Sequence, residues 1–316
     1  MVSPTGAAKT SCRSGFLNAV DKPFRLLIRG QNASISAFPP LGSPRYFMPF
    51  TAPVQAASIE FSELPRRDFW LRTLLPLVLA APVLGLLFLV DRVWLMQGIQ
   101  SWTTLLPDTL WAGITLLGNG AMLFACLALA WRQRPDWLMA AFCALPFATL
   151  YARGLKTLIF SPRPAAVLPV EQLHVIGERL LNHSFPSGHT LSAFGIAAVI
   201  VLAGKAPRSI ALLALLGAML VGLSRIAVGA HWPTDVLAGA AGGWLAGAFG
   251  VMLAQRWAWT RQRRAEQLLA LVVLISSLSL FIVDIGYTQA ILFKYLIAAL
   301  GALSALRWLL AKSTRQ

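Results

Sequence analysis

An all-α polytopic membrane protein is the fold class this sequence predicts, and three observations lead to it. The chain is 57% hydrophobic and only 12% charged, against roughly 25% charged in an average soluble domain. Apolar runs close to the length of a membrane span, about 20 residues, recur from Leu71 onward. Lysine and arginine collect in alternate connections between those runs, the pattern left when cations are retained on the cytoplasmic side. In a soluble chain the net charge of +15 would point to nucleic acid. Its location in loops assigns it to membrane orientation instead, so neither nucleic acid nor an obligate protein partner is expected. Three cysteines, two of them inside apolar runs, cannot make a disulfide framework.

The runs fall at 71–90, 108–131, 136–160, 190–204, 209–230, 234–255, 266–285 and 289–311, about eight spans by length. Between the first two lies a short amphipathic stretch with Trp94 and Trp102. The fourth run is short by itself. Basic residues mark the inside faces: Arg66, Arg67 and Arg72; Arg132 and Arg134; Lys205 and Arg208; Arg256, Arg261, Arg263 and Arg264; Arg307, Lys312 and Arg315. Both termini are therefore expected in the cytoplasm. Residues 1–68 hold scattered Pro, Ser, Gly and basic residues and no spanning run, which predicts a disordered cytoplasmic tail. In the sixth run Gly239, Gly243 and Gly247 recur at four-residue spacing, a stripe that lets another helix backbone approach closely.

Ionisable residues beside membrane spans are costly and mark functional sites. Lys156, Arg163, Ser187, His189, Arg225, His231 and Asp235 all fall at the outer ends of predicted spans. Arginine and lysine in a partly dehydrated site favour an anion with several oxygens. Pro186, Ser187 and Gly188, directly before a helix, add backbone N–H groups and the positive end of its dipole, so the predicted ligand is phosphate. His231 and Asp235 lie one helical turn apart. The carboxylate can take the Nδ1 proton and leave Nε2 as an oriented nucleophile. His189, at the mouth of the phosphate cradle, is placed to protonate a leaving oxygen. A divalent metal is the rival use of His and Asp together, and three fixed cations in the same pocket disfavour it.

Three segments of this sequence resemble the three signature motifs of the type 2 phosphatidic acid phosphatase (PAP2) superfamily. Lys156, six residues, Arg163 and Pro164 match the first; Pro186, Ser187, Gly188 and His189 match the second; Ser224, Arg225, five residues, His231, three residues and Asp235 match the third. The resemblance implies a six-helix catalytic core over 69–255; the two further transmembrane helices over 256–316, read from their apolar runs, lie outside it. It implies a metal-independent, cofactor-free lipid phosphatase that passes through a phosphohistidine on His231. His189 would be the general acid, Asp235 the orienting carboxylate, and Lys156, Arg163, Arg225, Ser187 and Gly188 the phosphate-binding groups. The expected setting is a bacterial inner membrane with the site on the periplasmic face, and the expected substrate is undecaprenyl diphosphate or a related lipid phosphate. A lipid phosphotransferase on the same core, or an anion-binding transporter, are the alternatives. The last two helices place Asp284, Tyr287 and Lys294 near the outer face, where their hairpin would either tune substrate access or carry an Asp284–Lys294 pair.

Overall fold

The computed structural model describes residues 59–310 apart from Lys205. Among them are ten α-helices of nine residues or more, here numbered in chain order. They are α1 (Arg66–Leu89), α2 (Arg92–Thr103), α3 (Asp108–Leu116), α4 (Gly120–Ala128), α5 (Pro135–Leu158), α6 (Gly188–Leu202), α7 (Arg208–Ala227), α8 (Pro233–Arg256), α9 (Arg263–Ile282) and α10 (Ile291–Leu310). Six helices in this set are long and apolar enough to cross a membrane: α1, α5, α7, α8, α9 and α10, the last with its preceding 3₁₀ turn. The chain is an all-α, multi-pass membrane protein. Its outer surface is accordingly apolar: Leu74, Val78, Leu86 and Phe88 of α1 and Leu212, Leu213 and Met219 of α7 are exposed, and lipid takes the place that a protein core would fill.

The central helix is α8, packed against α6, α5 and α1. Its glycines make that packing possible. A methyl group on Gly239 would lie 2.5 Å from the Ser187 carbonyl oxygen, one on Gly243 would meet that of Leu191, and one on Gly247 would meet that of Gly195. Backbone therefore lies on backbone along α6, and Ser187 at the start of α6 is brought beside Asp235 at the start of α8. The Ser187 N–H donates to the Asp235 carbonyl at 3.0 Å.

Two sequence expectations need correction. The run at 108–131 is not one helix, because α3 and α4 are bent by 74° at a break over residues 117–119. Asn119 causes the restart: its side-chain oxygen accepts from the amides of Ala121 and Met122 at 2.9 and 3.3 Å, an N-cap that begins a new helix. The predicted tail over 1–68 also extends too far. Residues 1–58 lie outside the described residues, but Ile59 is buried and Phe61 and Leu64 pack on the core. Ser62 is bonded on both sides, donating to Ala203 O at 2.7 Å and accepting from Gln255 Nε2 at 3.0 Å. Isolated apolar residues in a polar segment carry no periodicity, so this docking left no pattern to read.

The two carboxy-terminal helices pack on each other and on α4, with Gly301 against Ala125 and Ser277. Asp284 and Lys294 do not pair. Lys294 Nζ donates to Val283 O at 3.0 Å and so satisfies the end of α9, while Asp284 accepts from the Gly286 amide at 2.8 Å.

Candidate active site

The third motif is built by the turn from α7 into α8. Gly229, in the left-handed region at φ +73°, ends α7 and lets the chain double back. The amides of Ala230 and His231 then donate to the Arg225 carbonyl at 3.1 and 3.2 Å. Pro233 opens α8, where its missing N–H costs nothing. In the first turn of α8 Asp235 Oδ2 accepts from the Trp232 amide at 2.9 Å and from the Ser184 hydroxyl at 2.5 Å. His231 Nδ1 lies 3.4 Å from the same oxygen. Both His231 and Asp235 are almost fully buried, at 2% and 1% exposure.

The second motif opens α6. Ser187 is its N-cap, accepting from Thr190 Oγ1 at 3.0 Å and from the Thr190 amide at 3.5 Å. Gly188 and His189 occupy the first turn, where backbone N–H groups have no intrahelical acceptor. His189 Nε2 is buried and has no hydrogen-bond partner among the described residues. It sits in the field of Arg225, His231, Arg163 and Lys156. The break between α3 and α4 makes room for it, since a methyl group on Gly118 would lie 2.7 Å from His189 Cβ.

Three cations surround these histidines, and each is held by neutral oxygens. Lys156 Nζ donates to His183 O at 2.5 Å. Arg163 donates to Asn182 O and Ala230 O at 2.8 and 2.9 Å, with its Nη1 3.3 Å from His231 Nε2. Arg225, 2% exposed, donates through Nη1 to Thr115 Oγ1 at 2.5 Å and to the Tyr287 hydroxyl at 2.7 Å. Burial and the charge of Arg225 hold Arg163 down to about 10. Burial together with Arg163, Arg225 and Lys156 pushes His231 well below the ordinary histidine value, so at neutral pH its ring is uncharged and carries a lone pair.

The structure thus brings together all the residues singled out in the three motifs. It adds Ser184, Thr115 and Gly118, and it draws in Tyr287, expected only near the outer face. Ser184 stands beside the second motif in Asn-His-Ser-Phe, where the neighbouring His183 is the more conspicuous residue; the exposed ring of His183 does less than its carbonyl. Thr115 and Gly118 lie in an apolar run whose one sign of the bend is Gly118-Asn119-Gly120. Among the described residues no group of three or more His, Cys, Asp or Glu is placed to hold a metal.

Comparison with known proteins agrees with the motif reading. A model of the PAP2 superfamily matches residues 132–263, which contain all three motifs. The chain is 35% identical over 80 residues to the undecaprenyl-diphosphatase of Sulfolobus acidocaldarius, covering 25% of this chain and 36% of that protein. It therefore spans about a third of that relative's length. Over 142 residues it is 33% identical to the bacitracin transport permease protein BcrC of Bacillus licheniformis, covering 43% of this chain and 68% of that protein. Among solved structures it is similar to the crystal structure of Aquifex aeolicus LpxE, at 32% identity over 46% of this chain and 85% of that chain, with a TM-score of 0.42. With all three motifs intact and two thirds of a relative's length matched, the chain belongs to the PAP2 superfamily of phosphatase-type hydrolases.

Proposed function

We propose that this protein is a metal-independent membrane lipid phosphatase that works through a phosphohistidine intermediate. The observation that carries the reading is the buried histidine pair inside a ring of three cations: His231 braced by Asp235, and His189 with an unpartnered ring nitrogen. Lys156, Arg163 and Arg225 hold the phosphoryl oxygens, assisted by the first-turn amides of α6 and by Ser187. His231 Nε2 attacks phosphorus in line, the bond to the leaving oxygen breaks, and His189, which takes up a proton when the bound phosphate offsets the surrounding cations, gives it to that oxygen. Water then attacks phosphorus and gives a proton to His189, the phosphorus–nitrogen bond breaks with its electron pair returning to His231 Nε2, and inorganic phosphate leaves. Asp235 holds the Nδ1 proton of His231 throughout and stabilises the charge that grows on the ring.

The substrate is a lipid phosphate or diphosphate, and undecaprenyl diphosphate is the first choice. A strongly basic pocket favours a highly charged headgroup, and the naming of the Sulfolobus relative as an undecaprenyl-diphosphatase supports this. The topology that agrees with the basic loops has eight spans, counting the bent pair α3–α4 and the short α6 as one each. It puts both termini inside and the site on the outer, periplasmic face. BcrC is named as a transport permease, which makes an anion-binding vestibule the rival reading. A vestibule has no need of an aspartate bracing a buried histidine.

Phosphate release by detergent-solubilised protein, run over prenyl diphosphates, phosphatidic acid and phosphatidylglycerol phosphate, separates these readings. We expect release that survives EDTA and is blocked by orthovanadate, fastest on the prenyl diphosphates. Release that EDTA abolishes and a divalent metal restores would sink the mechanism. A faster rate on the glycerol-based lipids would overturn the substrate, and phosphoryl transfer to an added lipid acceptor would make the chain a phosphotransferase.

A further inference from the structure

We propose that Tyr287, carried on the turn between α9 and α10, is a positioning residue for Arg225, and that the two carboxy-terminal helices are thereby part of the phosphate site. This rests on the phosphatase reading above, and it concerns a residue outside the segment that matches the family model.

The geometry starts from the five N–H donors of a guanidinium, which lie in one plane. Both hydrogens of Arg225 Nη1 are taken, one by Thr115 Oγ1 and one by the Tyr287 hydroxyl. Those acceptors come from two separate parts of the chain, α3 and the α9–α10 turn, and together they fix the plane of the group. Among the described residues neither Nε nor Nη2 has a hydrogen-bond partner, although Nε is fully buried. A buried donor without a partner is costly, a cost that is recovered when an oxyanion arrives. The free Nε–Nη2 edge is the one that grips two oxygens of a phosphoryl group side by side. Tyr287 and Thr115 therefore occupy one edge of the guanidinium and present the other.

Tyr287 is itself firmly seated. Gly286 precedes it in the left-handed region at φ +79°, with its amide held by Asp284. The turn lies flat on Gly177 in the outer loop, where a methyl group would meet both the Gly286 carbonyl and the Tyr287 ring. The ring also packs in the buried cluster of Trp111, Ile176, Val228 and Leu280. An aromatic arm anchored on four segments, reaching one nitrogen of a buried arginine, is built for orientation.

The test is Tyr287→Phe, which keeps the ring and its packing and deletes only the hydroxyl. A hydrogen bond to a charged group is worth enough to expect a fall in kcat of about tenfold, with KM within about twofold. An interaction that matters mostly in the transition state lowers kcat and leaves KM alone. The same tenfold weakening should appear in orthovanadate affinity, measured by titration. Tyr287→Phe made in an Arg225→Lys background should add nothing to the loss of vanadate affinity, because a lysine lacks the second nitrogen that Tyr287 engages. A Tyr287→Phe protein with kcat and vanadate affinity within twofold of wild type would overturn the proposal. So would equal losses in the wild-type and Arg225→Lys backgrounds, which would mark Tyr287 as a general packing residue. If the wild-type chain binds vanadate yet releases no phosphate from any lipid, the phosphatase reading fails, and the vanadate arm still decides the role of Tyr287.

Discussion

Substituting Gly239 by alanine probes whether the glycine face of α8 serves the chemistry or only the packing. The added methyl would sit 2.5 Å from the Ser187 carbonyl, where a carbon and a carbonyl oxygen need about 3.3 Å. The start of α6 must therefore recede from the start of α8 by about 0.8 Å. That shift separates Ser187, Gly188 and His189 from His231 and Asp235, and a misplacement near 1 Å can cost about 10²-fold in rate. Gly247→Ala is the control, because its methyl would lie 2.4 Å from Gly195 O, two turns and about 12 Å further along the helix. Both substitutions should cost roughly 1–3 kcal/mol of stability through overpacking. Only Gly239→Ala should lose turnover by about 10²-fold. The assay is phosphate release beside thermal unfolding on the same preparations. If Gly239→Ala keeps turnover within threefold of wild type while losing as much stability as Gly247→Ala, the stripe does not set the site geometry.

Three further outcomes are expected. Ser184→Ala removes one hydrogen bond to the Asp235 carboxylate and should lower kcat about tenfold, less than Asp235→Asn and far less than His231→Ala; steady-state kinetics of the three would refute the order if Ser184→Ala were neutral. Because His231 is held well below 6.5 by burial and by Arg163, Arg225 and Lys156, its nucleophilic form persists as pH falls, and the acid limb of kcat/KM should lie below pH 6.5. Removing a like charge with Arg163→Met raises the histidine, so the limb should move to higher pH in a pH–rate profile; a limb that stays in place would remove Arg163 from the electrostatics of the nucleophile. Cysteines introduced in the 164–182 loop should react with an impermeant reagent from outside intact cells, while those in the 256–264 loop should not, and the reverse pattern would invert the topology.

The residues of the candidate site were more legible in the sequence than the scaffold that brings them together. Lys156 to Arg163, Pro186 to His189 and Arg225 to Asp235 declare themselves because their spacings are short and their residue types are rare within apolar runs. The face of α8 bearing Gly239, Gly243 and Gly247 was also readable, since small residues at four-residue spacing have one common use. The break at Gly118 and Asn119 was marked only by Gly118-Asn119-Gly120, a turn and N-cap sequence set inside a run otherwise apolar enough to pass as one span. Tyr287 and Thr115 were invisible as partners of Arg225 for a different reason. They are distant in sequence, and a threonine in a helix or a tyrosine in a turn is too ordinary to stand out. Ser184 falls between: close to a motif, yet distinguished only once Asp235 is seen to accept from it.

Lys156, Arg163 and Arg225 are each moored to carbonyls and hydroxyls, and that mooring bears on a problem peculiar to an enzyme embedded in its own class of substrate. A bilayer is a concentrated store of phosphate esters, almost all of them diesters with a single charge and two unsubstituted oxygens. Had carboxylates neutralised the three cations, any anion would have had to break ion pairs to enter, and a dianion would have gained little over its neighbours. Neutral oxygens leave most of the positive field in place, offset in part by the Asp235 carboxylate behind His231. A terminal phosphate, with more charge and three free oxygens, meets that field better than a diester does. On the proposed reading the pocket would favour the rare lipid among the common ones, and free inorganic phosphate, which meets the same criterion, would compete with it.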